Sequence, residues 1–220
     1  MDQPADTEAS SPYQSIAGRL GLKAPLPYTP KWSAAADFLS LLIDYALDEK
    51  PAVIVECSSG LSTLVLARCC EINRKGHVYS LENGEEFVAK TVNGLEDFQL
   101  TNFATVMHAP LVRTVLEQTD YQWYQYATLE QQVAEIDMLV IDGPPGFIQP
   151  QSRYPAVPLL HNRLAERAVV FLDDAGREDE KKLVARWLQQ FPSLHHRYYE
   201  TQRGCSVLSS RSIVASIPDL

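Results

Sequence analysis

A chain of 220 residues is long enough for one ordinary domain with a sizeable core and too short for two large ones. Its 45% hydrophobic and 21% charged residues are the mixture of a globular protein. A formal net charge of -9 argues against nucleic acid as a partner, because phosphate-backbone contacts need clustered Lys and Arg.

Residues 1–11 are polar and acidic, without the apolar stretch of a secretion signal, and no run approaches the ~18–20 apolar residues of a membrane helix. The expectation is a cytoplasmic protein with no membrane partner. Cys57, Cys69, Cys70 and Cys205 form no CxxC pair, so they read as buried thiols rather than a zinc site or a disulfide framework.

In chain order, residues 1–30 are rich in Pro, Ser, Ala and acids and read as a flexible tail that becomes ordered as it meets the domain, residues 31–220. Residues 31–47 carry apolar side chains at Ala35, Phe38, Leu41, Leu42 and Tyr45, a helical stripe with Ser33 as its N-cap. Strands are expected at 52–56, 76–82, 104–108, 136–142 and 168–173. Helices are expected at 61–72, 85–94, 111–118, 124–135, 155–165 and 179–190. Residues 196–200 and 205–208 around Gln-Arg-Gly read as a hairpin. Strands alternating with helices mean a mostly parallel sheet covered on both faces, closed by an antiparallel hairpin.

In an open sheet of this kind ligands bind beyond the carboxyl ends of the strands. Four of the five predicted strands end there in an acid: Glu56, Glu82, Asp142 and Asp173, the last followed by Asp174. Helix capping accounts for any one of them, but four on one rim repel each other unless something uses them. The loop after the first strand, Cys57-Ser-Ser-Gly-Leu-Ser-Thr63, has a single glycine, so it is not the GxGxxG of a dinucleotide site, and no GxxxxGK[ST] occurs. A ligand with a ribose and no phosphate fits this rim better.

These strand ends resemble those of the class I S-adenosylmethionine-dependent methyltransferases, over about residues 31–208. In that family the first strand ends E-x-G-x-G, the second ends in an acid and the fourth in Asp. DGPPG, SRYPAVPLL and VVFLDDAGREDEKKLVARW are similar to one branch of mostly unassigned substrate. The resemblance implies a Rossmann-like α/β fold, S-adenosylmethionine as cofactor, and a small-molecule or glycan-like acceptor methylated on oxygen. It further implies that Glu56 and the turn at Ser58 orient the methionine part, that Gly60 lets the backbone approach it, and that Ser62 bonds its carboxylate. Glu82 would take the ribose hydroxyls, His108 would lie near the adenine, and Asp142 would join the cofactor rim. Ser58 stands where the family has glycine, so the turn is expected to take another shape or the cofactor to sit further out.

Asp142 with Asp173 and Asp174 is also similar to the metal ligands of catechol O-methyltransferase and its relatives, which implies a divalent cation such as Mg²⁺. Against this stands Asp142 as lone general base, with Asp173 and Asp174 capping the next helix. Trp123, Tyr124 and Tyr126 read as packing on the sheet or as a substrate wall. Arg153 and Tyr154 read as holding an acceptor or anchoring a loop. His161, His195 and His196 are given no chemistry. A non-catalytic cofactor- or partner-binding domain remains the alternative to an enzyme, a nicotinamide oxidoreductase is disfavoured by the missing GxGxxG, and the oligomeric state stays open, a homodimer included.

Overall fold

The computed structural model describes residues 6–210, with side chains from residue 12 onward. After helices α1 (Asp6–Arg19) and α2 (Ala36–Glu49), strand and helix alternate through β1 (Val53–Cys57), α3 (Leu61–Asn73), β2 (His77–Glu82), α4 (Glu85–Asp97) and β3 (Ala104–His108). A hairpin, β4 (Leu111–Leu116) and β5 (Thr119–Tyr124), leads to the short α5 (Ala127–Gln132) and to β6 (Ile136–Ile141). Then come α6 (Ala156–Leu160), β7 (Leu164–Leu172), α7 (Glu178–Gln190), β8 (His195–Tyr199) and β9 (Cys205–Ser209).

The main sheet has the order β3-β2-β1-β6-β7-β9-β8. The first five of these strands run parallel, and β9 and β8 are antiparallel to β7 and to each other. This is the expected Rossmann-like class I architecture. Its central strands are apolar on both faces because both are covered. Ile54, Met138, Val140 and Phe171 face α2 and α3, whereas Val55, Leu139, Ile141 and Leu172 face Trp123, Leu183 and Trp187. Each such side chain removed from water contributes about 1.5–3 kcal/mol.

Three expectations are corrected. Residues 111–118 form β4 and the turn after it, not a helix. The Leu111–Leu116 run has no period-two alternation of its own, and it is held as a strand by antiparallel pairing with β5 from Leu111↔Tyr124 to Leu116↔Thr119. Ser33 does not cap α2, whose N-cap is Ala35 without a side-chain bond; Ser33 Oγ instead accepts the Thr29 amide at 2.8 Å.

The third concerns the tail. Ile16, Ala17, Leu20 and Leu26 are buried in the core, the Tyr13 hydroxyl donates to Ala34 O at 2.9 Å, and Arg68 Nε donates to Leu20 O at 2.8 Å. The apolar residues of YQSIAGRLGL join one core cluster with residues of α2 and α3, and that burial offsets the cost of ordering them. Residues 1–5 of the expected tail lie outside the described residues.

Candidate active site

The chain builds β1, β2 and β3 outward and then crosses back to lay β6 on the other side of β1. The carboxyl ends of β1 and β6 are therefore the topological switch point. The Asp142 amide donates to Cys57 O at 3.1 Å, which locks the two ends together. Glycine is required beside them, since a β-carbon on Gly143 would run into the Tyr124 hydroxyl and lie 3.1 Å from Ser58 Cβ. Above this point opens a cavity of about 870 Å³.

Beyond β1 the chain turns through Ser58 and Gly60 at φ of 123° and 138°. Ser58 holds this positive φ despite its β-carbon. Its amide donates to Leu81 O at 3.0 Å and its carbonyl accepts the Ser80 hydroxyl, and these bonds hold a conformation that costs an L-residue about 1–3 kcal/mol. Glu56 lies behind the turn, fully buried, with Oε2 accepting from Thr63 Oγ1 at 2.5 Å. Thr63 Oγ1 in turn accepts the Gly60 amide at 3.0 Å. Burial pushes the Glu56 carboxyl up to about 7, against the hydroxyls of Ser62 and Thr63 that hold it down. Glu56 is not among the cavity-lining residues, so it shapes the turn from below, while Ser58, Ser59 and Ser62 line the space.

Glu82, at the end of β2, lines the same cavity. Its Oε2 accepts from Ser59 Oγ at 3.0 Å and its Oε1 from the Gly84 amide at 2.9 Å. His108 pairs in register with Glu82 but does not line the cavity. It stands half-exposed on the outermost parallel strand, with Nδ1 4.0 Å from Glu85 Oε1. That strand is two places from the switch point.

The other half of the rim is charged. Ligand oxygens of Asp142, Asp173 and Asp174 all lie within 4.8 Å of one another, so the convergence expected of them is present. Among them sits Arg153, whose side chain is 4% exposed. Its Nη2 donates to Asp142 O at 2.8 Å, to Asp142 Oδ1 at 3.1 Å and to Asp174 Oδ2 at 2.7 Å, and its Nη1 donates to Asp173 O at 2.8 Å. Arg177 Nη1 is 2.9 Å from Asp174 Oδ2, and Arg203 Nη1 is 3.9 Å from both Asp173 Oδ2 and Asp174 Oδ1. A fourth acid, Glu180, is 3.9 Å from Arg153 and from Arg177. Burial pushes Asp142 up to about 6 even though Arg153 pulls it down, and pushes Asp173 well above the carboxylate range.

The donor set is that of a hard divalent cation, and the Asp173 oxygens have no hydrogen-bond partner. The surroundings are not. A guanidinium already bonds Asp142 and Asp174, and two more stand within 4 Å of the acids. The cluster does not fit a divalent ion as it stands.

Two of these arginines were hidden in the sequence. Arg177 follows DDAG just before α7, and Arg203 lies in the turn of the terminal hairpin. That hairpin docks by Gly204 O accepting the Ala175 amide and Arg203 O accepting the Gly176 amide, both at 2.9 Å. Arg153 was singled out, but its partners could not be named. Of the aromatic cluster, Trp123 is buried core and Tyr124 lines the cavity, with Lys31, Trp32 and Ala34 forming a further wall.

A family model described as a methyltransferase domain matches residues 55–175, more than half of the chain, which therefore belongs to that family. The solved structures similar to it share its fold at low identity. A Podospora anserina methyltransferase bound to S-adenosylhomocysteine (SAH) is 14% identical over 96% of this chain and 99% of that one, with a TM-score of 0.66. An O-methyltransferase from Bacillus cereus, also with SAH, is 14% identical over 94% and 92%, TM-score 0.62. The O-methyltransferase TomG of Streptomyces achromogenes, with S-adenosylmethionine, is 14% identical over 94% and 90%, TM-score 0.61. No curated protein matches the sequence. Among the described residues no helix is long and apolar enough to cross a membrane.

Proposed function

We propose that the chain is an S-adenosylmethionine-dependent O-methyltransferase acting on a hydroxyl of a small-molecule or glycan-like acceptor. The observation that carries this reading is that one cavity at the switch point is lined both by Ser58, Ser59, Ser62 and Glu82 and by Asp142. The serine-rich turn and the Glu82 carboxylate match a methionine carboxylate and a ribose diol. When bound, the cofactor supplies an electrophilic methyl group. The work left to the chain is positioning and removal of one proton from the acceptor.

Asp142 is the residue placed for that proton. It lines the cavity at the end of β6, and burial raises it to about 6, near enough to neutrality to act as a base. Trp32 and Phe87, with ring centroids 5.5 Å apart, and the 81% exposed Phe147 flank the mouth, where a sugar or other ring can lie against them. An acceptor docked against this wall would present its hydroxyl to Asp142, whose carboxylate would take the proton as the hydroxyl oxygen gains the methyl group.

Calorimetry with S-adenosylmethionine, SAH and NAD tests the cofactor. Binding of the first two and not the third is expected, and binding of NAD alone would sink the reading. A screen of hydroxylated acceptors for SAH release then separates an enzyme from a domain that only binds.

A further inference from the structure

We propose that the guanidinium of Arg153 is the resident cation of the Asp142–Asp173–Asp174 cluster and does there what a divalent metal ion would otherwise do, holding the strand tips together and fixing the Asp142 carboxylate.

Three observations carry this. The first is position. Arg153 Nη2 bonds Asp142 Oδ1 and Asp174 Oδ2 at 3.1 and 2.7 Å, so it bridges the ends of β6 and β7. An ion coordinating those same two oxygens at about 2.0–2.1 Å would have to occupy the space of that nitrogen.

The second is charge. Four acids, Asp142, Asp173, Asp174 and Glu180, face three guanidiniums, those of Arg153, Arg177 and Arg203, all within 4 Å of at least one acid. Guanidinium cannot shed its proton in a protein, so none of these charges can be removed to admit an ion. A divalent ion added to the cluster would leave it with excess positive charge.

The third is anchorage. Arg153 is not on a surface loop that could swing out. Its neighbour Ser152 donates to Pro144 O at 2.9 Å, and Tyr154 O accepts from the buried Trp187 Nε1 at 2.9 Å. Arg186 lies 3.5 Å over the Tyr154 ring. A planar fork that satisfies two backbone carbonyls and two carboxylates at once is also a geometry lysine cannot reproduce. Arg153 is thus a positioning residue, acting through Asp142.

Only the benefit to Asp142 rests on the methyl-transfer reading; the claim about the cation does not. The test uses the unaltered protein with and without SAH. Mn²⁺ is titrated and followed by electron paramagnetic resonance, and the arginine side-chain signals are followed by ¹⁵N nuclear magnetic resonance. We expect no stoichiometric Mn²⁺ binding, a melting temperature unmoved by Mg²⁺ or a chelator, and slowly exchanging Arg153 Nη protons that Mn²⁺ leaves unbroadened. One Mn²⁺ bound per chain, broadening those signals and abolished by Asp173→Asn, would overturn the proposal. SAH binding measured in the same samples reports separately on the proposed function, so either idea can fail alone.

Discussion

The two halves of the cavity rim answer the same problem in different ways. On the β1–β2 side, Glu56 and Glu82 are held by neutral donors: the hydroxyls of Thr63 and Ser59 and the Gly84 amide. On the β6–β7 side, Asp142 and Asp174 are held by guanidiniums. A neutral donor leaves a carboxylate its charge and lone pairs with which to accept a ligand's hydroxyls. A buried guanidinium takes one oxygen of each carboxylate, Oδ1 of Asp142 and Oδ2 of Asp174, and fixes the geometry. The first side is built to bind, and the second is built to stay in place.

If that contrast is right, breaking the charged side should cost stability above all. Arg153→Ala leaves buried carboxylates facing each other without their central counter-charge. Removing one partner of a buried pair costs about 3–5 kcal/mol. Thermal unfolding should therefore show a drop of many degrees, and a variant melting within a few degrees of the parent would show that Arg177 and Arg203 suffice.

Breaking the neutral side should cost binding instead. Glu82→Ala removes a charge-assisted acceptor, each bond to which is worth about 1.5–3 kcal/mol. SAH affinity should fall at least tenfold while the melting temperature barely moves. Unchanged affinity would take Glu82 out of the site.

Glu56 sharpens the contrast by its pH dependence. Its folded value of about 7 lies above its ordinary 4.5, so between these the native state holds more protons than the unfolded chain. Stability from this group is then present below about 4.5 and is lost as pH rises to about 7. Glu56→Gln should remove that slope, so the melting temperature of the variant relative to the parent should climb between pH 4.5 and 7. A difference that is flat with pH would mean that Glu56 is ionised throughout.

The smallest effect belongs to Ser59→Ala. One neutral donor to Glu82 is lost, worth about 0.5–1.5 kcal/mol, so SAH affinity should weaken by less than about tenfold. A loss as large as that of Glu82→Ala would mean that Ser59 touches the ligand itself.

Much of this molecule is legible in its sequence. The apolar runs at 52–56 and 136–142 and the helical stripe at 31–47 carry their periodicity on their face, because strands and helices bury side chains at fixed spacings. The acids at the strand ends were legible too, since helix capping explains one such carboxylate but not four on one rim, and so were Ser58 and Gly60 in the turn. Residues 111–118 were not. Leu111–Leu116 is stabilised as a strand by pairing with β5, a partner that local propensity does not contain. Nor was the packing of Ile16 and Leu20, which depends on a groove made by helices further along the chain.

The sequence by itself determined the layered α/β fold and which strand tips bear acids, because backbone geometry turns local patterns of polarity into elements and their order. Only the tertiary structure decided how those acids are satisfied. Glu56 was set behind the turn it supports, and His108 was put on the outermost parallel strand. Arg153, Arg177 and Arg203, from three separate loops, were brought onto one cluster of carboxylates. Coulomb attraction acts through space and not along the chain, so no local pattern announces which charges will meet.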